Sequence, residues 1–222
     1  MSRSSDERFS ETLRLENRDV WDAMQQHRFV ADVLADRLPP GVFKRYLVYE
    51  GAFVETAMAI FALALAKAPG LPQRLWLAGV VDALAREQIP YFEERFASLD
   101  VRPGSYQPFP DAVVAFRDGM LAFAEDGAYD DIVVSMLAAE WMYVTWCARP
   151  ASGTISDPDL RAWVALHTEP AFAAQVEWLR AEADTTGRRA SAEGRDRLIG
   201  VFRKTLELEI AFHSAPYDEG RG

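Results

Sequence analysis

Cysteine is all but missing from this chain. Cys147 is the only one among 222 residues, which excludes an intrachain disulfide and fits a reducing compartment. No reactive motif flanks it, so it reads as a buried structural thiol rather than a nucleophile. Positive charge is also short: 24 Lys and Arg stand against 34 Asp and Glu, a net charge of −10. That excludes the basic footprint of a nucleic-acid binder and argues against docking on an anionic membrane surface. The longest uninterrupted apolar run, Ala57 to Ala66, falls well short of the about 20 residues that span a bilayer. The polar stretch Met1 to Glu11 holds no apolar core of a signal peptide, so the expectation is a cytoplasmic protein. His27, His167 and His213 are scattered and lack H-E-x-x-H spacing. Gly-rich phosphate loops, a G-x-S-x-G elbow and paired-cysteine motifs are missing too. No metal and no cofactor is expected.

What remains is helical period, almost from end to end. Ser4 with Glu7 forms a capping box, followed by Phe9, Leu13, Val20, Trp21 and Met24 on one face. A helix over Phe29 to Leu38 ends at Pro39-Pro40-Gly41. A long one, Val42 to Ala68, is apolar nearly all round at Met58 to Ala66, which reads as buried. Pro72 to Leu99 is helical with a kink at Pro90. Asp111 to Glu125 and Tyr129 to Ala148 follow, joined across Asp126-Gly127. Ser156 caps a helix with Pro158 in its first turn, and Pro170 divides that helix near Thr168. Ser191 caps the last, which reaches about His213. No segment alternates long enough to be a strand, so the fold class is all-α, one domain of seven to nine helices over 1–222.

Three glutamates stand inside apolar helical stretches, each three residues ahead of an aromatic: Glu50 with Phe53, Glu140 with Tyr143, Glu209 with Phe212. Residues i and i+3 share a helix face, and a buried carboxylate is costly unless a polar group meets it. Glu93 with Phe96 and Glu169 with Phe172 show the same spacing, so context has to decide. Glu50 shares a face with Tyr46, Phe53 and Val54, though it also borders the wet stripe near Glu55. Glu140 is the one charge between Asp131 and Arg149; a buried structural hydrogen bond is the rival to a functional role. Glu207 and Glu209 lie about 200° apart, so one must face outward; the line Phe202, Leu206, Glu209, His213 puts Glu209 inside. Glu87, one turn before Tyr91, divides between pocket and surface. Trp141, Trp146, Trp163 and Trp178 read as core.

In order and spacing these segments resemble the TenA, or thiaminase-II-like, family over about Phe9 to Tyr217. The marks are His27-Arg-Phe-Val30, Phe43-Lys-Arg-Tyr-Leu-Val-Tyr-Glu50, Glu140-Trp-Met-Tyr143, Trp163-Val-Ala-Leu-His167 and Glu209-Ile-Ala-Phe212. The resemblance implies a heme-oxygenase-like helical bundle, a homo-oligomer (dimer or tetramer) and a pocket for a thiamin-derived aminopyrimidine. It places Glu50 on the amino-pyrimidine edge, Phe53 where the family has tyrosine, and Glu209 near the reacting group. Tyr143, His167 and Phe212 would line the pocket, with Glu87 joining them. The family's nucleophilic cysteine falls on Ala139. The chain therefore resembles the class that lacks this cysteine and carries a glutamate, here Glu140.

The function expected is cofactor-free hydrolysis of an aminopyrimidine, removing an amino or N-formyl group, with Glu140 and Glu209 as a catalytic pair. Two carboxyls close together push their pKa values apart, leaving one acid and one base near neutral pH. Two alternatives remain. One is an iron-dependent oxygenase holding metal through Glu50, Glu140, His167 and Glu209; the other is a non-catalytic heterocycle-binding protein.

Overall fold

The computed structural model describes residues 8–149 and 155–218. In chain order the helices are α1 (Phe9–Glu16), α2 (Arg18–Gln25), α3 (Arg28–Leu34), α4 (Pro40–Lys67), α5 (Leu71–Ala83) and α6 (Ile89–Ser98). They continue as α7 (Asp111–Glu125), α8 (Tyr129–Cys147), α9 (Pro158–Leu166), α10 (Pro170–Arg189) and α11 (Ala192–Ser214). No strand occurs among the described residues. The fold is all-α, as the periodicity requires. α1 and α2 are parted by Asn17 alone, and a π turn at Leu84–Gln88 joins α5 to α6. Counted as two rods, these pairs bring the helical bodies to the upper end of the expected number. The Ser4–Glu7 capping box lies outside the described residues.

Each break has a local cause. Asn17 is buried, and its Nδ2 donates to the carbonyls of Leu13 (2.9 Å) and Ile199 (3.0 Å). Its side chain thus takes up main-chain acceptors where the helix turns. Pro90 has no N–H to give to the carbonyl of Arg86, and the helix answers with the π turn just ahead of it rather than a simple kink. α3 stops at Leu34, earlier than expected, because Asp36 takes a positive φ of 51°. The cap of α9 is Asp157, not Ser156: the Asp157 carboxylate accepts from the N–H groups of Asp159 and Leu160. Ser156 instead binds the Asp36 carboxylate through its N–H and hydroxyl. Ser191 does cap α11, accepting from the N–H of Gly194 at 3.1 Å.

Residue contacts divide the chain into two compact units. The first runs up to Arg37 and resumes over Val133–Ile210. The second comprises Leu38–Ile132 and the residues from Ala211. In the first unit, Trp21, Trp141 and Phe202 stack in one cluster while Phe29, Trp146 and Trp163 form another. Trp146 and Trp163 are fully buried, as expected of core tryptophans; Trp141 and Trp178 are only half-buried. α10 runs through the polar stretch Asp184 to Arg189 because Thr186 and Gly187 pack inward against α1. There a Cβ on Gly187 would stand 2.2 Å from the Cβ of Phe9.

In the second unit α4 packs on α5 and α7. Lys67, at the end of α4, gathers the carbonyls of Ala124, Glu125 and Gly127, closing the turn into α8. The apolar end of α4 is not buried all round: Ile60, Phe61 and Ala64 face the core, whereas Ala59, Ala62 and Ala66 are exposed. By length and composition α4 is long and apolar enough to cross a membrane, yet much of it is packed core. Beside it, α5 buries only Leu77 and Val80 and exposes Leu71 (67 %), Leu75 (66 %) and Trp76 (38 %).

The α1–α10 contact makes a direct test. Gly187→Ala is expected to lower unfolding stability by about 1–3 kcal/mol through overpacking against Phe9, read from urea denaturation. Gly79→Ala, whose Cβ would meet no atom within 4 Å, removes a glycine from α5 and should be neutral or slightly stabilising.

Candidate functional site

α8 begins with a carboxylate that has a main-chain partner and continues with one that has little. Asp131 accepts from the N–H of Ala128 at 2.8 Å, capping the helix start. From Ile132 to Glu140 every residue is buried, so Glu140 is carried inside by its neighbours. It is 7 % exposed. Its Oε1 accepts from Nε2 of Gln175, on α10, at 2.8 Å; Oε2 is buried with no hydrogen-bond partner among the described residues. Burial pushes the Glu140 carboxyl up to about 8, and the bond from Gln175, the smaller influence, pulls the other way. At neutral pH the group therefore holds its proton.

One turn along the same helix, Tyr143 lies in an aromatic cluster. Its ring stacks on His167 (centroids 4.8 Å apart, planes 29°) and meets Trp163 edge-on at 6.2 Å. His167 ends α9, where its Nδ1 lies 3.0 Å from the carbonyl oxygen of Trp163. A carbonyl only accepts, so in neutral His167 the hydrogen sits on Nδ1 and Nε2 is the basic nitrogen. Phe172, on α10, closes the cluster edge-on to His167 at 5.2 Å. Tyr143 and His167 are thus brought together, and Gln175 joins the set through Glu140.

Glu209 is 1 % exposed, whereas Glu207 is exposed and pairs with Arg203 (3.2 Å) and Lys204 (4.0 Å). The angular argument thus chose the inward carboxylate. These residues all belong to the first unit.

Glu50, Phe53 and Phe212 belong to the second. Phe53 packs 4.6 Å from Phe116, which in turn lies 4.7 Å from Phe212. Together with Tyr49, Phe109 and Arg117 they line a cavity of about 60 Å³. That is room for a water or two, well below the roughly 300 Å³ of a small-molecule pocket. Glu50 is half-buried, beside Gly51, where a Cβ would come within 2.7 Å of Phe96. Glu87 departs from expectation: it is exposed on the π turn. The inward positions there are Leu84 and Phe92, and Glu87 falls off the line they define.

Cys147 is buried, as a structural thiol should be. Among the described residues no group of three or more His, Cys, Asp or Glu is placed to hold a metal ion. The set Glu50, Glu140, His167 and Glu209, weighed for iron, is not assembled as such a group. Gln175 and Phe172 are the residues that spacing did not single out as functional. Phe172 was visible only within the Glu169–Phe172 pair, and nothing local marks Gln175, whose partner is 35 positions away.

The model of the TENA/THI-4/PQQC family matches residues 15–219. The chain belongs to this family. That one match takes in most of both units. Among solved structures it is similar to a TenA homologue from Pyrococcus furiosus, with a TM-score of 0.87 at 19 % identity over 94 % of this chain and all of the other. A candidate TenA-like thiaminase from Sulfolobus solfataricus follows at 0.76 and 15 % identity, covering 93 % and 94 %. A Shewanella denitrificans domain of unknown function with a heme-oxygenase-like fold reaches 0.72 at 12 % identity, covering 94 % and 92 %. At these identities the likeness establishes the fold, a heme-oxygenase-like arrangement of helices. No protein of curated function matches the chain in sequence.

The state of Glu140 has a stability consequence. The folded protein keeps this proton to about pH 8, whereas an unfolded glutamate releases it near 4.5. Folding therefore binds a proton between those values, and stability falls as pH rises through that window. Glu140→Gln is expected to be near neutral at pH 4.5 and stabilising by ~1–3 kcal/mol at pH 8. Denaturant melts at the two pH values check it.

Proposed function

We propose that this protein is a cofactor-free C–N hydrolase acting on a thiamin-derived aminopyrimidine in the cytoplasm, as a member of the class without the cysteine nucleophile. The observation that carries the reading is Glu140: a buried carboxyl, protonated at neutral pH, with one oxygen that no described residue hydrogen-bonds. A position that served packing alone would favour a neutral side chain of the same size. Ala139, where the family resemblance places the cysteine, is buried and offers no nucleophile.

Glu140 suits the part of the acid, giving its proton to the departing nitrogen, while Glu209 serves as the base that takes a proton from water. Attack of that water at the carbon and departure of the nitrogen consume one water and yield an alcohol and ammonia. From an N-formyl substrate the water attacks the formyl carbon, and the products are the free amine and formate. The roles implied by the resemblance are kept residue by residue. Glu50 pairs with the amino-pyrimidine edge through charge-assisted hydrogen bonds once the ring is protonated. Phe53, Tyr143 and Phe212 offer ring faces, and His167 backs Tyr143. Glu87, being exposed, takes no part.

Aminomethyl- and formamidomethyl-pyrimidines are expected to release ammonia and formate. Glu140→Gln or Glu209→Gln should slow turnover at least about 100-fold. Undiminished turnover in both variants would remove the mechanism, and thermal stabilisation by these ligands without product would mark a binding protein instead.

The same reading makes the protein a homo-oligomer. Leu71, Leu75 and Trp76 on α5, beside the exposed alanines of α4, offer the apolar face for a second copy. Leu71→Glu with Leu75→Glu should leave a folded monomer by light scattering. An unchanged mass would place the interface elsewhere, and a monomeric parent protein would remove it.

A further inference from the structure

The two oxygens of Glu140 are not equivalent. Oε1 accepts an N–H from Gln175 at 2.8 Å, and Oε2 is buried with no hydrogen-bond partner among the described residues. In a carboxylic acid the oxygen that accepts an N–H is the carbonyl oxygen, and the proton sits on the other. We infer that Gln175 is a positioning residue: its amide holds the Glu140 carboxyl in one orientation and assigns the acid proton to Oε2. The inference rests on the acid role proposed for Glu140 and extends it to a side chain that acts through Glu140 alone.

Three further observations support it. First, Gln175 is half-exposed while its partner is buried. Fixing a glutamine side chain costs rotamer freedom, which a hydrogen bond to a buried carboxyl offsets and one to a surface group would not.

Second, the donor is neutral. A lysine or arginine at this position would favour the carboxylate and remove the acid; an amide orients the group and leaves burial in control of its proton. Arginines on neighbouring helices of this unit have other partners. Arg180 on α10 binds Glu11 and Glu177, each at 2.7 Å, and covers the ring of Trp141. On α11, Arg203 binds Asp19 and Glu207. His167 on α9 stacks on Tyr143, and Glu209 on α11 is buried. Burial and Gln175 are the influences that move Glu140.

Third, α10 is held at two successive turns, first against the end of α9 and then against α8. Phe172 abuts His167, which lies on Tyr143, and one turn later Gln175 reaches Glu140, one turn before Tyr143. The aromatic contact sets the register in which the amide and carboxyl meet.

The experiment replaces the amide by an apolar side chain of similar length, Gln175→Met, with Gln175→Leu as a second variant should the first fail to fold. The infrared carbonyl stretch of protonated Glu140, identified by its loss in Glu140→Gln, is followed against pH in each protein. Losing the N–H donor should raise the stretching frequency and move the titration upward by about one pH unit. With an aminopyrimidine substrate, kcat should fall at least about 10-fold while KM stays within about twofold. A band unmoved in both frequency and titration overturns the inference, as does an unchanged kcat in an active enzyme. If no form turns over substrate, wild type included, the hydrolase reading fails and the infrared band alone decides this one.

Discussion

Burial of α8 on every side from Asp131 to Glu140 is the constraint from which the rest follows. A helix with no face for water must be apolar all round, and from Ile132 to Met142 it nearly is. Glu140 is set into that helix and cannot reach solvent without dismantling the core about it. Its carboxyl therefore stays neutral rather than ionised, because leaving a bare charge there would cost more than keeping the proton. An acid held protonated at neutral pH is a consequence of packing; no cation or metal is needed to produce it. Gln175 adds direction to a group whose charge state is already decided.

The surroundings of Glu140 are divided between long helices and a short aromatic corner. α8 supplies Glu140 and Tyr143 one turn apart, so their separation is a property of helix geometry and hardly adjustable. α10 begins at Pro170, and around that corner His167 stacks on Tyr143 of α8, Phe172 meets His167, and Gln175 reaches Glu140 of α8.

Helix identities were readable in the sequence because burial period and breakers speak locally. α7 occupies the residues expected, and Pro170, Ser191 and Asp126-Gly127 mark real boundaries. The misreadings were contests between two plausible local signals. Asp157 outcompetes Ser156 for the cap of α9 because Ser156 is drawn to Asp36, 120 positions away. Pro90 acts through a π turn just ahead of it, which proline alone does not announce, and Asp36 ends α3 early. In the site, Glu140 stood out because a lone charge in an apolar helix violates a one-dimensional rule, and Glu209 because two nearby glutamates could not both face inward. Gln175 had no such mark: a glutamine on a polar helix is unremarkable until the fold brings a buried acid against it. Glu87 was drawn in by spacing from Tyr91, but spacing is silent on which side of a rod meets the core.

The fit of Phe9 over Gly187 leaves no room for a single side-chain atom. Two positions 178 apart by subtraction of their numbers thus share one volume. Among relatives that keep this helix crossing, a larger residue at the second position calls for a smaller one at the first. The pair should drift through evolution as one character, recording how closely the first helix is pressed against the tenth.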